Sequence, residues 1–382
     1  MVALNVLFFV AASLVAESSS APEIRVRGIR VDPGYFYTMY PEKSPKQVAK
    51  EVVKSAKNSK INTLFLYTYN HVYGALYPTD YTLTTVENGY GTGNIIKEVT
   101  QAAKASGIKV VAVVPVNNFR EVWVHKPEWR AKKADGSDYI PATNMFILSA
   151  HHPEFQLWLK GFYDDLLTRN PGLDGIEAVE PFIDLNWAKE SDYNPKALEA
   201  FKHEYPDAKA GDQNWLNHRA AGLTELISIL NVAAHRHKKA SFLVQTWPAR
   251  PNGKLVSSTI IKNNLGLDFD AILSLKDDEK LDYVIAELMW QQWASEFGRK
   301  NFPVSWTRQA SKDFIKYVSG RSVPLIHLEI SLFTGKSGTV IPTPEEFGES
   351  LSLLRDMDVG VEVYDHNQIS KQNAWNHLLS WH

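Results

Sequence analysis

The segment DGIEAVEPFIDLNW, Asp174 to Trp187, places Glu177, Glu180 and Asp184 in or just behind an apolar run. Such a run reads as a buried strand, and a buried carboxylate needs a partner or a task. Other apolar runs end in the same way. IRVRGIRV (24–31) leads into Asp32, INTLFLYTY (61–69) ends on Tyr67 and Tyr69, and KVVAVVPVN (109–117) ends on Asn117. SFLVQTW (241–247) carries Gln245 and Trp247, and YVIAELMW (283–290) carries Glu287 and Trp290, with Trp293 just beyond. PLIHLEIS (324–331) holds Glu329, and VGVEVYD (359–365) holds Glu362, Tyr364 and Asp365.

This mixture of carboxylates, amides and large aromatics suits a sugar. Aromatic rings cover the C–H faces of a pyranose, while Asp, Glu, Asn and Gln bond its hydroxyls. The binding set expected is Asp32, Tyr67, Tyr69, Asn117, Glu177, Gln245, Trp247, Trp290, Trp293 and Tyr364. Cleaving a glycosidic bond needs two carboxyl groups in different states, one protonated toward the leaving oxygen and one ionised. Glu180 is the acid expected here, because an apolar strand end raises a carboxyl by desolvation. Its partner is left open among Glu329, Glu287, Asp365, Asp32 and Glu177. Glu177 and Glu180 are three apart, so on a regular strand they face opposite sides, and Glu362 and Asp365 pose the same problem.

The elements that must position these residues alternate. Between the strand-like runs lie amphipathic stretches such as SPKQVAKEVVKSAKN (44–58), NIIKEVTQAAKASG (94–107) and TPEEFGESLSLLRDM (343–357). Eight strands alternating with helices predict an α/β chain closed as a (β/α)8 TIM barrel, a single domain over residues 22–382. An open doubly wound sheet is the alternative, but no Gly-x-Gly-x-x-Gly follows the first strand. In a barrel, sites are built where strands end and βα loops begin, which is where the acids lie.

Composition narrows the function classes. A net charge of -2 without a basic stripe gives nucleic-acid binding no support. With no cysteine, disulfides, thiolate catalysis and Cys-ligated zinc are excluded. Residues 1–20 combine the apolar run Val2–Ala16 with a small, Ser-rich segment and read as a secretory signal peptide, so a secreted or periplasmic location is expected. That run is too short for a membrane span of roughly 20 residues, so no span is expected after its removal. A monomer acting on a polysaccharide, with no cofactor and no metal, is the expectation. His235–His237 reads as a basic helix terminus at the opposite rim, and His151–His152 precedes a helix.

Several segments in order then resemble a known family. VWVHKPEWRAKKADGSDY (122–139) follows the third strand and LDGIEAVEPF carries the fourth. YNPKALEAFKHEYPDA (193–208) leads to NWLNHRAAGLTELISIL (214–230), and DDEKLDYVIAELMW (277–290) brings in the sixth strand. Over most of residues 24–370 the chain resembles the glycoside-hydrolase-like barrels that include the C-terminal domain of periplasmic poly-N-acetylglucosamine de-acetylases. The resemblance implies a (β/α)8 fold and action on an exopolysaccharide or cell-wall glycan containing amino sugars. In the relatives a strand-four run ends in acidic residues, the first tied to catalysis, and by position that residue is Glu180. Here it is Glu rather than Asp and Pro181 follows in place of a second acid, which implies a two-glutamate pair with Glu329 as partner. No de-acetylase domain is expected, the residues ahead of the barrel being too few.

Three readings follow: an endo-acting glycoside hydrolase, a non-catalytic glycan-binding barrel, and a metal-dependent hydrolase on the same fold. A competent carboxyl pair in the cleft separates the first from the second, and convergent His and Asp ligands mark the third.

Overall fold

The computed structural model describes residues 25–70, 74–85, 90, 93–184, 189–288, 304–330 and 343–381. Eight parallel strands close a barrel: β1 (Arg27–Val31), β2 (Thr63–Tyr67), β3 (Lys109–Val114), β4 (Gly175–Val179), β5 (Ala240–Thr246), β6 (Tyr283–Glu287), β7 (Val323–Glu329) and β8 (Gly360–Tyr364). Each pairs with the next in sequence, and β8 returns to β1 with Arg27 opposite Val361 and Gly28 opposite Glu362. All eight strands expected from the sequence are present, and most end short of their apolar run. The TIM barrel is therefore the fold, and the open sheet is ruled out by the β1–β8 pairing.

The outer layer forms because the intervening helices bury one stripe each. Pro45–Asn58 turns Val48, Ala49, Val52, Val53 and Ala56 inward, starts at a Ser44–Gln47 capping box and carries Pro at its first turn. Pro344–Asp356 begins at a matching Thr343–Glu346 box. The large core between helices and strands takes in Ile29, Leu64, Val110, Ile176, Leu243, Val284, Ile326 and Val361, the outward residues of every strand.

The alternate residues fill the lumen. Phe65, Val111, Val113, Phe242, Val244, Ile285 and Leu325 form a separate inner cluster at its lower end. Gly28 and Gly175 line the same interior because a Cβ would meet Phe65 at 2.4 Å and Phe242 at 2.8 Å. The glycines thus make room for two aromatic rings that plug the barrel floor, consistent with a packed interior rather than a pore. Phase is now fixed: Arg30 on β1, Tyr67 on β2, Glu177 on β4, Glu287 on β6, His327 and Glu329 on β7, and Glu362 and Tyr364 on β8 all point inward, above that plug. No helix among the described residues is long and apolar enough to cross a membrane. Residues 1–20 lie outside the described residues.

Candidate active site

The inward polar residues meet around Arg30, a buried guanidinium that reaches across the lumen. It pairs with Glu362 through Nε, donates from Nη2 to Glu177 at 2.6 Å, and donates from Nη1 to the Tyr67 hydroxyl at 3.0 Å. Burial opposes its charge, but Glu177 and Glu362 hold the proton on it. His327 adds a second cation. Its Nδ1 lies 2.5 Å from Glu362 and its Nε2 lies 3.8 Å from Glu329. Burial alone would neutralise the imidazole, yet Glu362, Glu329 and Glu287 raise it to about 10.

The two carboxylates under these cations differ in state. Burial favours a neutral Glu362, but Arg30 and His327 together hold it down at about 2. Burial pushes Glu177 up to about 8, against the pull of Arg30, which it shares with Glu362, and of His327. Its Oε2 is buried without a hydrogen bond among the described residues. The sequence-level expectation for Glu177 as a sugar ligand is corrected accordingly: it is fully buried beneath the mouth and belongs to the floor.

Above the floor stands a third buried carboxyl group. Glu287 is 2 % exposed, opposite His327 in register, and accepts from the Thr246 hydroxyl at 2.8 Å. Burial raises its pKa first, and the negative charges of Glu180 and Glu329 add to this against the pull of His327 and Arg30. The result lies well above the ordinary carboxylate range.

Glu180 occupies a different position from the one expected. It is exposed, so the burial invoked for its acid role is absent. It stands one residue beyond β4 with φ of 42°, a left-handed conformation that ends the strand and suspends the alternation on which the Glu177–Glu180 parity argument relied. Its charge acts on Glu287, Glu177 and Tyr67, all inward-facing groups, so the carboxylate sits over the mouth.

What holds this turn was misassigned from sequence. Asn117 and Gln245, expected to bond substrate, are buried and bond the loop instead. Gln245 Nε2 donates to Pro181 O at 2.6 Å and Asn117 Nδ2 to Phe182 O at 2.8 Å. Glu180 N reaches Val244 O at 3.0 Å and Ile183 N reaches Leu265 O at 2.9 Å. Behind them the buried Asp184–Arg219 pair, 2.6 Å apart, ties the loop to the helix Gln213–Arg236. Strands β3 and β5 therefore clamp the backbone that presents Glu180.

The remaining expectations divide. Tyr67 and Tyr364 face the mouth, the Tyr364 ring 6.0 Å from His327. Tyr69 does not, because β2 ends at Tyr67 and a separate short strand begins at Tyr69. At 2 % exposure Tyr69 packs on Phe119 and Phe162 in the helix layer. Trp247 is 1 % exposed and stacks on Phe269 at 3.8 Å, on the outer side of β5. Neither is a sugar plate. Asp365 and Asp32 are buried helix caps: Asp365 accepts from Gln368 N at 2.8 Å and Asp32 from Gly34 N at 2.8 Å. Burial raises each to about 6. Trp290 and Trp293 lie outside the described residues. The histidine pairs also serve packing and ion pairing: His151 stacks on His218 at 3.8 Å, His235 meets Asp282 and His237 meets Asp164. Among the described residues no cluster of His, Asp and Glu has the form of a metal site.

Arg30 and His327 were missed by sequence reasoning. The available signal was phase: each charged residue sits at an inward position of an otherwise apolar strand, Arg30 in register with Phe65 and His327 two before Glu329.

Comparison with known proteins agrees with this architecture. The model of a family described as hypothetical glycosyl hydrolase 6 matches residues 48–166. No curated protein sequence matches the chain. Among solved structures, the glycoside hydrolase domain of PgaB (BpsB) from Bordetella bronchiseptica superposes with a TM-score of 0.70 at 16 % identity, covering 94 % of this chain and 98 % of that one. Alpha-L-fucosidase isoenzyme 2 from Paenibacillus thiaminolyticus gives 0.58 at 14 % identity over 94 % of this chain and 49 % of that chain. The chitobiase of Flavobacterium johnsoniae gives 0.53 at 15 % identity over 93 % and 47 %. The chain thus resembles the glycosyl-hydrolase-like barrels, as its segment order implied, and it shares the fold of the PgaB domain.

Proposed function

We propose that this protein hydrolyses glycosidic bonds in a polysaccharide, with Glu287 as proton donor and Glu180 as the ionised carboxylate. The observation that carries this reading is a pair of acids in opposite surroundings at one barrel mouth, Glu287 buried and Glu180 exposed. Burial, and after it the nearby Glu180, raises the Glu287 carboxyl well above its ordinary range. Glu180 is exposed, fixed by a clamped left-handed turn and open to a sugar ring.

In the reaction Glu287 gives its proton to the glycosidic oxygen as the bond to the anomeric carbon breaks. Glu180 supplies electrons to that carbon, directly or by taking a proton from the attacking water. The Arg30–His327 floor holds two positive charges below the site, balances Glu362, and limits how far Glu287 rises. This exchanges the roles expected from sequence, where Glu180 was the acid and Glu329 its first partner. Glu329 instead faces His327 and contributes charge to Glu287.

For the substrate we propose an exopolysaccharide or cell-wall glycan containing amino sugars, cut within the chain by an exported protein. The family description, the likeness to the PgaB domain and to a chitobiase, and the apolar N-terminal run support that class.

The test compares wild type, Glu180→Gln and Glu287→Gln on a panel of bacterial and plant polysaccharides, reading released oligosaccharides by mass spectrometry. Both variants are expected to slow polysaccharide cleavage at least about 100-fold. An aryl glycoside with a good leaving group needs little proton donation, so Glu287→Gln should be spared on it and Glu180→Gln should not. Equal losses on the activated substrate overturn the role assignment, and undiminished cleavage by both variants overturns the site.

A further inference from the structure

Strand β5 lies between the two strands that carry the proposed acids. It pairs with β4 on one side and β6 on the other, with Val179 opposite Val244 and Glu287 opposite Thr246. The last two residues of β5, Gln245 and Thr246, therefore stand between Glu180, one residue beyond β4, and Glu287, the last residue of β6. Alternation sends them to different sides. Phe242 and Val244 face the lumen, so Thr246 does as well, and Gln245 faces away from it. Gln245 is buried and Thr246 half-buried.

Each contacts a different half of the pair. Gln245 Nε2 holds Pro181 O at 2.6 Å, directly behind Glu180, and Gln245 Oε1 accepts from the Thr246 backbone N–H at 2.8 Å. Thr246 Oγ1 donates to Glu287 Oε2 at 2.8 Å. A path of hydrogen bonds thus runs from the turn behind Glu180, through this dipeptide, to the Glu287 carboxyl. The charged groups acting on Glu287 come from other elements: Glu180 from the β4 turn, His327 and Glu329 from β7, and Arg30 from β1. Thr246 adds a neutral donor to them.

Building on the hydrolase reading above, we infer that Thr246 is a positioning residue for the proton donor: its hydroxyl holds Oε2 of Glu287 and so directs Oε1 to the glycosidic oxygen. The oxygen that accepts from Thr246 is not the one that gives the proton, which places the proton on Oε1. As that proton moves to the leaving oxygen, the bond to the anomeric carbon breaks and the negative charge left on Glu287 is shared with Oε2. The Thr246 O–H is already aimed there, and a hydrogen bond to the charged form is stronger than one to the neutral form. Thr246 keeps its own proton throughout. A β-branched side chain on a paired strand has few rotamers, so the donor keeps its direction. Through Gln245 the same strand end holds the turn behind Glu180 and so sets the placement of both acids.

The experiment uses the full chain as wild type, Thr246→Val and Thr246→Ser, with kcat–pH profiles on the polysaccharide and on an aryl glycoside with a good leaving group. Carboxyl carbon NMR of protein labelled at glutamate follows the titration of Glu287 directly, its resonance assigned by its loss in Glu287→Gln. Thr246→Val keeps the shape of the side chain and removes the donor. It should lower kcat on the polysaccharide about 10-fold and move both the alkaline limb and the Glu287 titration up by about one pH unit. On the aryl glycoside it should stay within about twofold of wild type. Thr246→Ser keeps the hydroxyl and should restore the wild-type profile. A Glu287 titration unmoved in Thr246→Val overturns the positioning role and leaves the hydrolase standing wherever wild type cleaves. An equal rate loss on both substrates overturns it too, because a structural defect would not follow the leaving group. Thr246→Ser as impaired as Thr246→Val shows that the hydroxyl is not what acts, with the same consequence. If wild type cleaves no substrate, the hydrolase reading falls and the role of Thr246 falls with it, however Glu287 titrates.

Discussion

Replacing Arg30 by Met removes the cation that two buried carboxylates share, and the consequence can be sized. Glu362 moves from an ordinary 4.5 to about 2 in the fold, which corresponds to roughly 3 kcal/mol at about 1.4 kcal/mol per unit. His327 contributes part of that, so Arg30 accounts for only a share of it. Glu177 adds the loss of a buried hydrogen bond, because Arg30 donates to it at 2.6 Å. Breaking one partner out of a buried ion network destabilises by about 3–5 kcal/mol, and Arg30→Met should fall in that range at pH 7. The sign with pH follows from Glu362. Its folded pKa is depressed, so its contribution is present above about 4.5 and is lost as pH falls toward about 2. The gap between wild type and variant should therefore narrow from about pH 4.5 downward. Urea unfolding followed by tryptophan fluorescence and far-UV circular dichroism measures it, with coincident transitions as the check on two-state behaviour. A loss under about 1 kcal/mol at pH 7, or a gap unchanged at pH 3, would refute the placement of Arg30 as the hub of the floor.

Other expectations concern the mouth. Glu329→Gln removes a negative charge beside Glu287, so the alkaline limb of the kcat–pH profile should move to lower pH; a shift the other way contradicts the assignment of Glu287 as acid. Gln245→Leu leaves the Pro181 carbonyl unpaired and should reduce kcat about 10-fold or more with the pH limbs in place, at a stability loss of about 1–3 kcal/mol. Unchanged turnover there would show that the clamp does not position Glu180. Glu180→Gly relieves the left-handed backbone, so thermal denaturation should show a protein at least as stable as wild type, by up to about 1 kcal/mol, and without activity. Asp365→Asn keeps a side chain able to cap the helix His366–Lys371 and should retain activity, whereas Asp365→Ala should lose about 1 kcal/mol of stability. A 100-fold loss of rate in Asp365→Asn would return Asp365 to the catalytic set.

The eight strands were legible because each buries both faces, giving continuous apolar runs separated by helical periodicity. The acids at their ends were legible for the same reason: a charge in an apolar run stands out. Sequence could thus place Glu180, Glu287 and Glu329 at one rim. It could not say which residues meet. Arg30 and Glu177 are far apart in the chain and touch only because closure of the barrel brings β1 across from β4. It could not place the tyrosines and tryptophan either, since the inward alternation of Phe242 and Val244 turns Trp247 outward, and the break after Tyr67 turns Tyr69 toward the helices. Nor could it fix the proton. Glu287 and Glu180 are the same side chain, and only burial beside Glu180, Glu329 and a shared cationic floor gives Glu287 the raised pKa on which its proposed role as acid rests. Local pattern determines which residues line a strand; desolvation and charge across the closed lumen decide what those residues do.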